Sequence, residues 1–181
     1  VDDESPPSVQ SLAFSESTLA EPDAAIGLQI TIDQAVEVET CHTIALSGTA
    51  TAVADYTLSD DDPLTPGIQA CVEAHALETA LGLQPVDDNV YEGDETITVS
   101  SDGAAASIPL TDAEDTPSLT ALSFDPVSIS ENGDVSAFSA SQSNSALQRR
   151  CYDLTISGSA DVGVDYSLAD DDPAPGPQIC V

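Results

Sequence analysis

The sequence predicts an all-β fold, an immunoglobulin-like antiparallel β-sandwich of about seven strands. The first observation is hydrophobic alternation with a period of two, which places every second side chain on one face of a strand. It is clearest at Ile26, Leu28, Ile30 and Ile32. The second observation is the regular spacing of turn-forming residues between such segments, which is typical of a sandwich. Shorter alternating pairs predict the other strands, at Ile44 and Leu46, Leu81 and Leu83, Ile97 and Val99, and Ile108 and Leu110.

The segment from Val72 to Leu81 is the one place where a short helix could form. We interpret it as a loop that leads into a strand. Leu77, Leu81 and Leu83 fit a period of two, and no residue caps a helix there.

The charge of the chain is strongly one-sided. Of 181 residues, 33 are acidic and 2 are basic, which gives a formal net charge of −31. The basic residues are Arg149 and Arg150, so the first 148 residues have no lysine or arginine. This charge excludes a nucleic acid as a partner and argues against an anionic membrane surface. No apolar run approaches the roughly 18 residues of a membrane span. A cation is the partner that this composition favours.

A repeat with a period of 110 residues organises the chain. Between residues 41 and 63, eleven of 23 positions are identical to those 110 residues later, including Cys41, Asp55 and Tyr56. Leu12, Phe14 and Glu21 extend the match towards the N-terminus, so the repeated unit is a whole module.

The repeat predicts the domain boundaries. We expect residues 1–8 to be the tail of a preceding repeat, residues 9–115 to be one complete module, and residues 116–181 to be a second module truncated after its first half. The second module has no counterpart of residues 73–110. Its missing strands would come from its own chain or from another one, as in strand-complemented fibres.

Three acidic clusters lie in predicted turns at strand ends. They are the group from Asp87 to Glu95, the run from Asp112 to Asp115, and the triplet from Asp60 to Asp62. One interpretation is a solvated acidic surface, of which halophilic adaptation is a special case. The triplets Asp60 to Asp62 and Asp170 to Asp172 are expected to be solvated turns, with a weak cation site as the alternative.

The order and spacing of these motifs resemble the Calx-beta module of sodium/calcium exchangers and extracellular tandem-repeat proteins. The motifs are Gly48-Thr49-Ala50, Asp55-Tyr56, the stretch DDNVYEGDET at 87–96, and the acidic run at 112–115. The resemblance covers residues 9–115. A Gly usually stands shortly before the Asp-Tyr pair; the first repeat has Ala52-Val53-Ala54 there, whereas the second has Gly163.

The resemblance implies a calcium site at one end of the sandwich. Calcium takes six to eight oxygen ligands in flexible geometry, and carboxylates from separate turns can supply them. Two ions would balance the charge of so many acids. The second repeat keeps Glu131 and Asp165 alone, so no complete site is expected there. The implied ligands are Glu21, Asp55, Asp87, Asp88, Glu92, Glu95, Asp112, Glu114 and Asp115.

The four cysteines occur as two per repeat. Cys41 and Cys71 are 30 residues apart, and Cys151 and Cys180 are 29 apart. This regularity suggests one disulfide per module, which implies an oxidising compartment. Intermolecular disulfides and a zinc site are the less favoured alternatives, since no C-x-x-C pair is present.

No motif of an enzyme is present, and we expect no catalytic activity. The sequence lacks G-x-S-x-G, a P-loop, H-E-x-x-H and any lysine, and its two histidines, His42 and His75, are interpreted as strand or loop residues.

Together these features predict a calcium-binding, disulfide-linked structural repeat of an extracellular surface adhesin, stalk or filament, in which calcium stiffens the junction between repeats. Its partners would be neighbouring repeats or copies of itself, with a cell-surface or glycan receptor as a further candidate. The alternative is a calcium-sensing regulatory module.

Overall fold

A computed structural model describes residues 5–169 and 176–181 of the chain. These residues form strands and loops, with no helix that could cross a membrane. By its contacts the chain divides into two compact units, Val1–Asp88 with Gly93–Ala113, and Asn89–Glu92 with Glu114–Val181. The triplet Asp170 to Asp172 and residues 1–4 of the expected N-terminal tail lie outside the described residues.

The first unit is a sandwich of two sheets, which confirms the predicted fold class. One sheet has the strand order β1-β3-β7-β5 and the other β2-β10-β9-β4-β6. The pairing is antiparallel except between β2 and β10, which run parallel. The strands are β1 (Val9–Phe14), β2 (Leu19–Ala20), β3 (Ile26–Ile32), β4 (Thr40–Gly48), β5 (Tyr56–Leu58), β6 (Ile68–Val72), β7 (Glu78–Pro85), β9 (Glu95–Ser101) and β10 (Ala104–Thr111), while β8 (Val90–Tyr91) belongs to the second unit.

The core of the first unit comes from the inward faces of its alternating strands. Leu28 and Ile30 in β3 and Leu83 in β7 are fully buried, as the period of two predicts. The segment before β7 is a loop, also as predicted. Leu77 differs from expectation: it is 50% exposed, because it lies in that loop and the alternation begins only within β7.

The Gly48-Thr49-Ala50 motif clamps the start of β9. The Thr49 and Ala50 N–H groups donate to the Thr96 carbonyl at 3.0 and 3.2 Å, and the Thr96 N–H donates to the Thr49 hydroxyl at 2.9 Å. Gly48 has φ +121°, and a Cβ atom there would lie 2.0 Å from the Thr96 carbonyl oxygen. The motif therefore fixes the residue next to Glu95, the first residue of β9.

Hydrogen bonds within residues 51–56 hold the conformation of the loop before β5. A carboxylate oxygen of Asp55 accepts the Thr51 N–H, and the Val53 N–H donates to the Tyr56 carbonyl at 2.7 Å. Val53 has φ +79°, a left-handed conformation that a β-branched residue rarely adopts. Its counterpart 110 residues later, Gly163, has φ +81°. The first unit thus keeps the same loop without the usual glycine.

The Asp60–Asp62 triplet covers the outer edge of β6. Asp60 Oδ1 accepts the Gln69 N–H and Asp61 Oδ2 accepts the Cys71 N–H, both at 2.9 Å, and the Asp61 N–H donates to the Gln69 carbonyl at 3.0 Å. β6 is the last strand of its sheet, so these contacts satisfy backbone groups that would otherwise be an open edge. Asp60 and Asp61 are therefore a structural cap of the β6 edge, a role that the predicted solvated turn did not include.

Both predicted disulfides are present. Cys41 pairs with Cys71 across β4 and β6, and Cys151 pairs with Cys180. Each closes a loop of about 30 residues, which is worth roughly 3 kcal/mol in the chain-entropy account.

The second unit has three two-stranded sheets among its described residues. β11 (Leu119–Asp125) pairs with β12 (Ala137–Gln142), β13 (Ser145–Ala146) with β8, and β14 (Cys151–Asp153) with β15 (Gln178–Cys180). Its core is small, because Pro117 and Ile179 are the only buried residues among 114–169 and 176–181.

We predict that Gly48→Ala destabilises the first unit by roughly 3 kcal/mol or more, because the added methyl group meets a carbonyl oxygen and the backbone is held at positive φ. Gly82→Ala in β7 is the matched control, since its Cβ would meet nothing closer than 3.9 Å. Denaturant unfolding of both variants measures the difference. Equal stabilities of the two variants would contradict the proposed role of Gly48 in the close contact with Thr96.

We also predict that Val53→Gly stabilises the first unit by about 1 kcal/mol, because relief of the left-handed strain exceeds the entropic cost of glycine. Val53 is 79% exposed, so little packing is lost. Ala54→Gly, at a position without positive φ, should instead lower the melting temperature. A fall with both variants would show that Val53 is not strained.

Candidate metal centre

Acidic side chains of the first unit gather where several strand termini meet. β5 begins opposite the end of β7, with Tyr56 paired to Pro85, and β9 begins opposite the end of β10, with Glu95 paired to Leu110. β2 ends beside the end of β10, where Ala20 pairs with Thr111. Residues that follow or precede these termini by one or two positions therefore lie at the same end of the sandwich.

Glu21 and Asp87 form the first carboxylate pair. Each offers an oxygen, and these two oxygens lie within 4.8 Å of one another. Glu21 is 6% exposed, and its Oε2 accepts the Ala113 N–H at 3.2 Å. Its own N–H donates to the Thr111 carbonyl at 3.2 Å, which continues the pairing of β2 with β10. The parallel pairing of β2 with β10 therefore places Glu21 at this end of the sandwich.

Asp55 and Glu95 form the second pair, with carboxylate oxygens within 4.8 Å. Asp55 is 4% exposed, and its carbonyl accepts the Val86 N–H at 2.9 Å. This bond links the loop before β5 to the residue preceding Asp87. Glu95 is half-buried at the start of β9. The two pairs are therefore supported by adjoining backbone segments.

Two other predicted ligands lie in the first unit. Asp112 is half-buried, and its Oδ2 accepts the Gly93 N–H at 2.5 Å. Asp88 is exposed in the loop after β7. Asp112 follows β10 directly, so it lies next in the chain to the residues that pair with β2.

The remaining predicted ligands, Glu92, Glu114 and Asp115, belong to the second unit. Glu92 and Glu114 are half-buried and Asp115 is exposed. Glu114 and Asp115 line a polar groove of about 510 Å³ with Thr116, Ser118, Ser143 and Asn144. The Asn144 side-chain amide donates to the Asp115 carbonyl at 2.7 Å, which ties the start of this unit to the loop after β12.

The electrostatics of the two pairs favour a divalent cation. Two unit negative charges about 5 Å apart repel by on the order of 3 kcal/mol at the effective dielectric of a partly buried site. The sequence has no lysine, and its two arginines are in the second unit. The donors are all carboxylate oxygens, which suits a hard cation such as Ca²⁺. The residues present therefore fit the ion that the sequence resemblance implies.

Tyr56 keeps the site from gaining a further negative charge. The side chain is 1% exposed, and burial raises the pKa of its phenol, with the neighbouring Asp55 carboxylate raising it further. The phenol is therefore neutral throughout the physiological range.

The histidines lie elsewhere. His42 is a buried residue of β4 whose Nδ1 is 3.0 Å from Asp102 Oδ2 in the turn after β9. Glu95 and Asp102 are at opposite ends of that strand, so His42 is remote from the carboxylate pairs. His75 lies in the loop before β7. A third group, Glu39 with Cys41 and Cys71, has its sulfurs joined in the disulfide.

Sequence reasoning missed the groups that hold the ligands. Ala113 and Gly93 donate backbone N–H groups to Glu21 and Asp112, and neither residue type carries a chemical signal. Thr51 does the same for Asp55. The aspartate of the Asp55-Tyr56 motif was the available sign of that last contact, because aspartate side chains commonly accept N–H groups of nearby residues.

Comparison with known proteins finds similarity in solved structures. No protein-family model and no curated protein matches the sequence significantly. The apo form of the Calx CBD1 domain is similar with a TM-score of 0.41 and 16% identity, over 57% of this chain and 97% of that one. CBD12 from CALX1.2 is similar with a TM-score of 0.38 and 16% identity, over 56% of this chain and 44% of that one. Each similarity is one of fold alone.

Proposed function

We propose that the first unit is a calcium-binding structural module of an extracellular surface adhesin, stalk or filament. The observation that carries the proposal is the two carboxylate pairs, Glu21 with Asp87 and Asp55 with Glu95, at one end of a sandwich that has no cationic side chain of lysine or arginine to neutralise them. Calcium supplies that charge, and its flexible coordination tolerates ligands from several loops.

The proposed ligands begin with these four residues and Asp112, whose carboxylate lies beside Gly93 at the same strand ends. Asp88 is a further candidate from the adjoining loop. Glu92, Glu114 and Asp115 remain ligands proposed from the sequence, and with them we propose two ions. Three of these ligands, Glu21, Asp55 and Asp112, already accept backbone N–H groups, so less loop ordering is needed on binding.

Calcium should raise the melting temperature of the first unit. Binding to the folded state alone adds about 2.7 kcal/mol at a calcium concentration one hundred times Kd, which corresponds to roughly 10 °C for a unit of this size. Calorimetry in millimolar calcium and in chelator measures the shift. Glu21→Gln and Glu95→Gln should each reduce it.

Glu78→Gln is the matched control, because Glu78 is exposed at the opposite end of β7 from Pro85. It should leave the calcium-dependent shift unchanged. If calcium and chelator give the same melting temperature for the natural chain, halophilic surface charge is the better account of its acidity.

The mechanical part of the proposal concerns the junction between repeats. Asp112, Glu114 and Asp115 immediately precede Pro117, where the next repeat begins, so ligands and linker share one short segment. An ion bound there removes freedom from a linker that Pro117 already restricts. Both disulfides support placement in an oxidising compartment outside the cell. The proposed partners are neighbouring repeats or copies of the chain, with a cell-surface or glycan receptor at the end of the array.

An array of linked copies of residues 9–115 should be a rod with calcium and a flexible string without it. Small-angle X-ray scattering of four linked copies measures this as a larger maximum dimension in calcium than in chelator. The same array with Glu114→Gln and Asp115→Asn in every copy is the control, and it should keep the shorter dimension. An equal dimension in both conditions would refute the calcium-stiffened stalk.

A further inference from the structure

The second unit contains a turn with the sequence Asn132-Gly133 between β11 and β12. Both residues are exposed. Gly133 has φ +93°, and apart from its chain neighbours no atom lies within 4 Å of the position that a Cβ would occupy. The backbone nitrogen of a glycine is open to the side chain of the residue before it, because glycine has no side chain to hinder the approach.

This turn is one residue wider than its counterpart in the first unit. In the first unit the Ala20 N–H donates to Asp23 Oδ2 at 2.8 Å, three residues further along the chain. In the second unit the N–H of Ser130, 110 positions after Ala20, donates to Asp134 Oδ2 at 3.2 Å, four residues further along. The Ser130 hydroxyl donates to the same oxygen at 2.6 Å. Ser130 and Asp134 therefore hold the two ends of a loop that carries the asparagine and the glycine between them.

The exposure of the turn is not a result of the small core of the second unit. The positions 110 residues before Asn132 and Gly133 are Pro22 and Asp23, and both are exposed in the sandwich of the first unit as well. The turn is therefore at the surface in either repeat, and the Asn-Gly sequence is a feature of the second repeat alone.

Both groups of the Asn132-Gly133 pair are available for reaction. Among the described residues, the Asn132 side chain makes no hydrogen bond and the Gly133 N–H has no acceptor. The chain has two other asparagines. The side chain of Asn144 is held by hydrogen bonds at both its nitrogen and its oxygen. Asn89 is followed by Val90, whose branched side chain hinders an approach to the backbone nitrogen.

The first unit contains a related pair, Asp102-Gly103, in which the side chain is held. Asp102 Oδ2 accepts the Val9 N–H at 3.1 Å and lies 3.0 Å from His42 Nδ1. These contacts bind the carboxylate to the start of β1 and to β4. A carboxylate bound in this way is not free to rotate onto the Gly103 nitrogen, so the two pairs differ in the freedom of the side chain.

We propose that Asn132 is a site of spontaneous deamidation and isomerisation. The Gly133 nitrogen loses its proton and attacks the side-chain carbonyl carbon of Asn132. The new C–N bond closes a five-membered succinimide ring, and the side-chain nitrogen takes up a proton and leaves as ammonia. Water then opens the ring at one of its two carbonyl groups, which gives aspartate or β-linked isoaspartate. Water is the only co-reactant, so the reaction needs no oxidant, reductant or cofactor.

The reaction changes the turn in two ways. Each conversion adds one negative charge, and isoaspartate also adds a methylene group to the backbone between Ser130 and Asp134. The added group alters the spacing that the hydrogen bonds between these two residues require, so we expect the turn to open. None of the carboxylates proposed to bind calcium lies in this turn, so the proposal can fail or succeed independently of the proposed function.

The test incubates the folded full chain in warm, neutral buffer and maps its peptides by mass spectrometry. Chymotrypsin releases residues 125–138 by cleavage after Phe124 and Phe138. That peptide should gain about 1 Da, and its fragmentation should identify isoaspartate. We expect Asn132 to convert at least about tenfold faster than Asn89 or Asn144, because only its reacting groups are free to meet. The Ser130 amide should exchange its hydrogen faster in the converted chain.

Asn132→Gln is the matched control, because it keeps the carboxamide and the charge but would have to close a six-membered ring. It should form no product over the same period. A second control incubates the chain reduced and denatured. Asp102 should then form isoaspartate, whereas it should form none in the folded chain, because the bonds to Val9 and His42 are lost on unfolding.

Two results would overturn the proposal. One is conversion of Asn132 in the folded chain at a rate no higher than that of Asn144. The other is isoaspartate at Asp102 in the folded chain to the same extent as at Asn132, which would show that a free side chain is not what makes the turn reactive.

Discussion

Carboxylates in this chain are held chiefly by backbone N–H groups, because almost no cationic side chains are present. Ser8 donates its N–H and its hydroxyl to Asp33, which lowers the pKa of that carboxyl group. Asp102 accepts the Val9 N–H at the start of β1. Similar contacts fix the edge of β6 and three of the proposed ligands, Glu21, Asp55 and Asp112. Each such contact replaces water on a carboxylate and also satisfies a backbone donor. The same hydrogen bonds therefore accommodate the acidic side chains and fix the loops.

The loops that carry the proposed ligands take their conformation from local hydrogen bonds and not from a bound ion. The Asp55 loop and the Asp165 loop have the same pattern, in which the aspartate carboxylate accepts the N–H four residues earlier, from Thr51 and Asp161. The second loop lacks the neighbouring acidic clusters that the first one has. The loop conformation is therefore set locally, and a cation would act on charge that is already positioned.

The alternation of apolar residues was enough to predict the long strands, because burial on one face leaves a period of two in β3, β7, β9 and β10. It could not predict the two-residue β2 or its parallel pairing with β10, which depend on contacts distant in sequence. The disulfides followed from spacing. The carboxylate pairs were only partly foreseeable, since the nine predicted ligands are divided between two units and the donors that orient them are backbone groups. The role of Asp60 and Asp61 at the β6 edge was missed because a run of aspartates has no distinctive pattern.

The cap on β6 has a consequence for how the first unit behaves beside other β-sheet edges. Unpaired strand edges that meet at high local concentration are prone to join edge to edge or to exchange strands. A cap made of carboxylates occupies the pairing groups of the edge and surrounds it with negative charge. An edge protected in this way lets the first unit fold on its own strands without recruiting the strand of a neighbouring molecule.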